Sequence, residues 1–236
     1  METLIKFYLC IFAIGKIFCQ SYNITILGYH TTDVTQIVHN SGRIEFKTQN
    51  RGLADMIWPM NNYYDTSYDT QNFYLKTWSK NIKQGTFTNK NRCIINSQKN
   101  LLYNDHDTIN ISYPVHTIFT LIAKVQNESS DEIDARWFKF EHEGKLGRAR
   151  FLLADSSMAW DGKDSILCDH YRLDLEIIDT SNTIEMSKDY FMKNITNESF
   201  VRELWVSRRP KRQIIVAKVI TPWVTLKAQI NATKEN

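Results

Sequence analysis

The chain has 236 residues, 42% hydrophobic and 23% charged, with a formal charge of +3. So small a net charge excludes an electrostatic case for nucleic-acid or membrane-surface binding. Four prolines and eight glycines exclude a collagen-like or linker-rich chain, and the composition is that of a folded globular protein.

The amino terminus carries the clearest signal. Lys6 precedes an apolar run from Phe7 to Ile14 that breaks at Gly15-Lys16. A charged start, a short apolar core and a polar exit form the pattern of a secretory signal peptide. The run is well short of the roughly 20 residues a membrane-spanning helix needs. Cys19-Gln20-Ser21 offers small residues at −3 and −1, which predicts a signal peptide over residues 1–21 and one domain over residues 22–236, with no transmembrane segment in the mature chain. A lipidated Cys19 is the rival reading, disfavoured by the bulky Ile17-Phe18 before it.

Alternation of polar and apolar residues then dominates. It predicts strands at residues 25–29 and 36–39, a turn at Asn40-Ser41-Gly42, and a strand over residues 43–48. Strand-like runs follow at 56–60 and 62–65, a strand end and turn over 66–72, and strands at 72–78, 85–88 and 92–96. One segment differs. Apolar residues 115, 118, 119, 122 and 125 follow Pro114 at helical spacing, predicting a short helix. Residues 135–141 and 148–153 flank a hairpin loop at Glu143-Gly144. Strands at 171–177, 200–206, 213–220 and 223–230 close the chain. Many short strands and one short helix predict a mainly β protein, a curled antiparallel sheet or open β-barrel.

Gly52 to Pro59, the Tyr64-Asp65 and Ser67-Tyr68-Asp69 turn, Trp78 followed by Ile82 to Gly85, the helix before Ala123, the hairpin at Gly144, and the ending from Val219 through Pro222 to Ala228 together resemble the DUF3108 family of exported bacterial proteins. The resemblance spans nearly all of the mature chain and rests on spacing and turn chemistry. The stretch Asn89 to Cys93 departs from it. It implies an exported β domain without an established activity, in the periplasm or cell envelope of a Gram-negative bacterium, and no catalytic residues to carry over.

Signal cleavage would leave Cys93 and Cys168, which in an exported protein read either as a disulfide or as two buried thiols. Trp58, Tyr63, Tyr64, Tyr68, Tyr74 and Trp78 crowd one stretch of the chain. They either fill a core or line a concave face for an apolar or sugar ligand. Arg208, Arg209, Lys211 and Arg212 form the densest basic cluster, either a solvated hairpin end or a contact for anionic head groups.

The six histidines form neither H-x-x-x-H nor H-E-x-x-H, so no metal site or cofactor is predicted. The nucleophile-elbow and phosphate-loop motifs are absent. The expectation is a non-enzymatic envelope protein that binds a lipid or other amphipathic ligand, or an envelope protein partner. Two alternatives stand beside it. One is a scaffold; the other is a hydrolase of envelope glycans or lipids, which would bring Asp169 and His170 together in one pocket.

Overall fold

A computed structural model describes residues 17–111, 113–180 and 189–231. The apolar run at residues 7–14 lies outside the described residues. The elements in chain order are β1 (Ile17–Ile26), β2 (Tyr29–His39), β3 (Arg43–Asn50), α1 (Gly52–Ile57), β4 (Asn61–Tyr68), β5 (Leu75–Gln84), β6 (Phe87–Ile95), β7 (Leu101–Tyr103), β8 (Asp107–Ile109), α2 (Ile118–Val125), α3 (Ser130–Ile133), β9 (Phe138–His142), β10 (Lys145–Trp160), β11 (Ser165–Asp179), α4 (Tyr190–Thr196), β12 (Val201–Ser207), β13 (Ile214–Ile220) and β14 (Thr225–Ile230).

All 14 strands join one antiparallel sheet in the order β8-β7-β6-β5-β4-β3-β2-β1-β14-β13-β12-β11-β10-β9. The sheet curls on itself, and its end strands β8 and β9 do not pair, as expected for an open barrel-like architecture. The chain between β8 and α2 spans part of the gap. Leu75 N of β5 donates to Val115 O at 2.9 Å, and His116 N donates to Lys139 O of β9 at 2.8 Å. The two ends of the sheet also meet through side chains. Glu141 of β9 is buried, accepts from Trp78 Nε1 at 3.3 Å and Gly144 N at 3.0 Å, and is hydrogen-bonded by the Tyr103 hydroxyl. Burial is the main influence on that carboxyl and raises its pKa.

The core follows from the period of two. Along β4 the alternate residues Asn62, Tyr64, Thr66 and Tyr68 turn inward. The turn at Gly42 needs glycine. Its φ is +77°, and a Cβ there would lie 2.5 Å from the Tyr68 carbonyl oxygen.

The expected helix exists as α2, opened by a reciprocal capping pair of Thr117 and Thr120. It lies inside the curl, where Phe119 packs against Phe46 and Tyr64 at ring distances of 5.0 and 5.3 Å. Three further short helices, α1, α3 and α4, were not expected.

Two expectations meet the structure differently. Cys19, Gln20 and Ser21 are part of β1, paired with Ile37, Gln36 and Thr35, so the expected domain start at Tyr22 falls inside a strand. Cys93 and Cys168 are free. Both are fully buried but in separate apolar clusters, Cys93 with Leu75, Leu101 and Tyr103, and Cys168 in the main core. Of the two alternatives, disulfide or buried thiols, the structure has the buried thiols. Burial raises both thiols, Cys168 to about 11.

Candidate functional site

The main core is incompletely filled. A cavity of about 170 Å³ lies between the inner face of the sheet and the helices α2 and α4. Ile24 and Val34 of β1 and β2, Phe46 of β3, Leu173 and Leu204 of β11 and β12, and Ala217, Leu226 and Ala228 of β13 and β14 supply its wall. Ile122 of α2 and Phe191 and Ile195 of α4 cover it. Protein interiors are close-packed and few voids exceed a water molecule. An apolar space of about 150 Å³ stays dry and can take up a benzene-sized molecule.

Polar contacts hold both covering helices. At the end of α2, Gln126 Nε2 donates to Gln20 Oε1 at 2.8 Å and Gln126 Oε1 accepts from Gln36 Nε2 at 2.6 Å. Tyr22 OH donates to Gln36 Oε1 at 3.2 Å. Asp189 caps α4 by accepting from Met192 N at 3.1 Å. The same buried carboxylate accepts from Tyr64 OH and Gln84 Nε2, each at 3.1 Å, and lies 3.6 Å from Lys80 Nζ. Lys80 also pairs with Glu143, and burial is the main influence lowering its pKa.

The other end of α4 is held by Arg202, a cavity-lining side chain that is 3% exposed. Its guanidinium donates to the carbonyl oxygens of Ile195 and Asn197 and, at 2.9 Å, to that of Phe200. Burial lowers it to about 10, so it remains charged at neutral pH.

The antiparallel register gathers several connections at one rim of the curl. They are the β1–β2 hairpin, the α1 connection from β3 to β4, the β13–β14 turn and α4 before β12. This rim is unusually apolar. Leu27, Tyr29, Leu53, Met56, Ile57 and Trp223 are each at least 75% exposed there. Asn194, Ile195, Val219 and Leu226, the more accessible part of the cavity lining, lie at the same rim, so the cavity opens within it.

The aromatic residues singled out from sequence do not gather around this cavity. Trp58 sits outside, edge-on to Tyr190 at 5.9 Å and against Gly85, whose φ is +59° and whose added Cβ would come within 3.3 Å of the indole. Tyr63 faces outward and donates to Glu45 at 2.6 Å. Tyr64 is a core residue bound to Asp189. Tyr68 stacks on Phe73 at 5.6 Å, Tyr74 meets His116 edge-on at 5.2 Å, and Trp78 packs with Tyr103.

Most charges of the basic cluster are engaged within the chain. Arg208 Nε and Arg212 Nη1 reach Asp169 at 2.6 and 3.2 Å, and Arg209 reaches Asp161 at 3.5 Å. Lys211 lies over the Phe18 ring. Asp169 and His170 do not share a pocket. His170 stacks on Trp205 with ring centroids 4.0 Å apart, near Asp155 and Glu203.

The residues that line the cavity were not found from sequence. The signal available was their alternation in strands, which marks an inward face without telling a filled core from a hollow one.

Fold and site together define a barrel-like antiparallel β domain with an internal apolar cavity. Among solved structures, the chain is similar to a β-barrel-like protein of a domain of unknown function, DUF1849, from Brucella abortus. The match covers 90% of this chain and 94% of that one, with a TM-score of 0.52 and 6% identity. That identity shows the fold alone. No family model matches the chain, so membership of the DUF3108 family is not shown, and no curated protein matches it.

Proposed function

We propose that the protein is an exported protein of the bacterial envelope that binds an apolar or amphipathic ligand inside its curled sheet. The cavity of about 170 Å³ carries this reading. Its wall is apolar, it is larger than packing leaves by chance, and it opens at a rim of exposed apolar side chains. Its size suits a ring or a length of single acyl chain, with the remainder of the ligand leaving through the mouth. The charge and hydropathy pattern ahead of Ile17 supports export.

Native mass spectrometry of the protein purified from the periplasm, with organic extraction, tests the reading. A stoichiometric apolar or amphipathic mass, lost in an Ala228→Phe variant that fills the cavity, is the expected result. An apo mass that takes up nothing from envelope lipid extracts would remove the reading.

A second reading, docking on a partner in the envelope, is favoured by the rim itself. Exposed apolar patches of this kind mark interaction surfaces. Leu27 and Tyr29 project from the β1–β2 hairpin, Met56 from α1 and Trp223 from the β13–β14 turn. Polar replacements at these four positions would abolish co-purification with an envelope partner and leave small-ligand binding intact.

A further inference from the structure

We infer that the ligand is a single-chain anion whose carboxylate is received by Arg202. The inference rests on the cavity being a ligand site and names the class of molecule it takes.

Arg202 combines three properties. It is buried, it lines the cavity, and it pairs with no carboxylate among the described residues. Elsewhere in the described chain the arginines are paired: Arg43 with Asp65, Arg51 with Asp33, Arg92 with Asp105, Arg148 with Glu176, Arg150 and Arg172 with Asp174. Arg208 and Arg212 share Asp169, and Arg209 meets Asp161. Among the described arginines only Arg136 shares the lack of an acid with Arg202, and Arg136 is exposed to solvent.

The nearby carboxylates of Asp174 and Glu198 act on Arg202 only from beyond ion-pair distance. Asp174 is held by Arg150 and Arg172, and Glu198 accepts from Ile177 N at 2.7 Å. Carbonyl oxygens supply only partial negative charge, and a buried cation calls for a full counter-charge. A guanidinium has five N–H groups. Three point to the carbonyls of Ile195, Asn197 and Phe200, leaving one on each terminal nitrogen. A carboxylate is the acceptor that planar arginine nitrogens match best. The cavity is too small for a two-chain lipid, so the fitting molecule has one apolar chain or ring and one acid group.

The test titrates the full chain with decanoate and 1-decanol, which differ only in the head group. The wild-type protein is expected to bind decanoate about 10- to 100-fold more tightly at pH 7.5, the gain of a hydrogen bond to a charged group. The preference should shrink as the pH falls through the carboxylate range, about 4 to 5. Arg202→Gln should bind the two alike, Arg202→Lys should keep part of the preference, and Lys218→Gln, at the other cation of the cavity lining, which pairs with Glu203 at 3.8 Å, should keep all of it.

Equal binding of acid and alcohol by the wild-type protein would overturn the inference and leave the cavity reading standing. A preference that survives in Arg202→Gln, or one that disappears in Lys218→Gln, would also overturn it. Binding of neither molecule would remove both readings. If Arg202→Gln fails to fold, Arg202→Lys and Lys218→Gln decide the matter.

Discussion

Asp189 joins parts of the chain that are far apart in sequence. Tyr64, Gln84, Lys80 and the first turn of α4 all converge on its one carboxylate. Removing one partner of a buried charged cluster leaves the others uncompensated. Asp189→Ala should therefore lower stability by about 3 kcal/mol in urea unfolding and expose the amides of α4 to hydrogen exchange. Unchanged exchange in α4 would show that Asp189 does not hold the cover of the cavity. His116 sets a second expectation. It is 2% exposed, edge-on to Tyr74 and Phe138, and burial lowers it to about 4, with a smaller contribution from Lys124. Its unfolded value is about 6.5. Between these values the unfolded chain binds the proton and the folded chain does not, so stability falls as the pH drops through the window. From pH 7 to pH 5 the loss should be about 2 kcal/mol. His116→Phe should show a flatter pH profile, and a profile as steep as the wild type would assign the effect to other groups.

The elements separate into those that sequence alternation reveals and those it does not. β3, β4 and β12 were legible because each largely buries one face and turns the other outward, β13 because its apolar β-branched run suits a strand, and β14 because its polar and apolar residues alternate. The helix α2 was legible because its apolar positions repeat at helical spacing. α1 was not, because its six residues make under two turns, too short a stretch for the helical spacing of Leu53, Met56 and Ile57 to stand out from the strand-like run at 56–60, and its apolar side chains face solvent rather than a core. β10 was read as far too short. Asp155-Ser156-Ser157 looks like loop chemistry, yet it stays paired with His170, Asp169 and Cys168 of β11 beside a bulge. At the start of the chain, Cys19 to Ser21 suit a cleavage site, but Gln20 is fully buried and bonded to Gln126. Side-chain size alone does not distinguish those two roles. If a signal peptide is removed as proposed, an intact β1 places the cleavage ahead of Ile17. Intact-mass analysis of the protein recovered from the periplasm should give an amino terminus at or before residue 17. A mature start at Tyr22 would contradict the pairing of β1 with the last half of β2.

At the scale of the whole molecule, the curled sheet was legible and the site was not. The cavity draws residues from β1, β2, β3 and β11 to β14, with α2 and α4 above them. No stretch of sequence contributes enough of it to form a motif. The dense aromatic run from Trp58 to Trp78 drew the eye because it is local. Its members divide between the outer surface, the core and the seam where the sheet ends meet. The basic loop from Arg208 to Arg212 was prominent for the same reason, and its arginines are taken up by Asp161 and Asp169. Arg202, a lone cation in an alternating strand, gave no sign of its position.

The central claim is that the space beneath α2 and α4 is a binding site. Methyl-resolved NMR of the full chain during titration with decanoate tests it most directly. The account predicts shifts of the methyl groups of Ile24, Val34, Ile122 and Leu204, with those of Leu75 and Leu101 in the second cluster unchanged. Shifts confined to Leu75, Leu101 or the exterior, or no shifts at all, would contradict it.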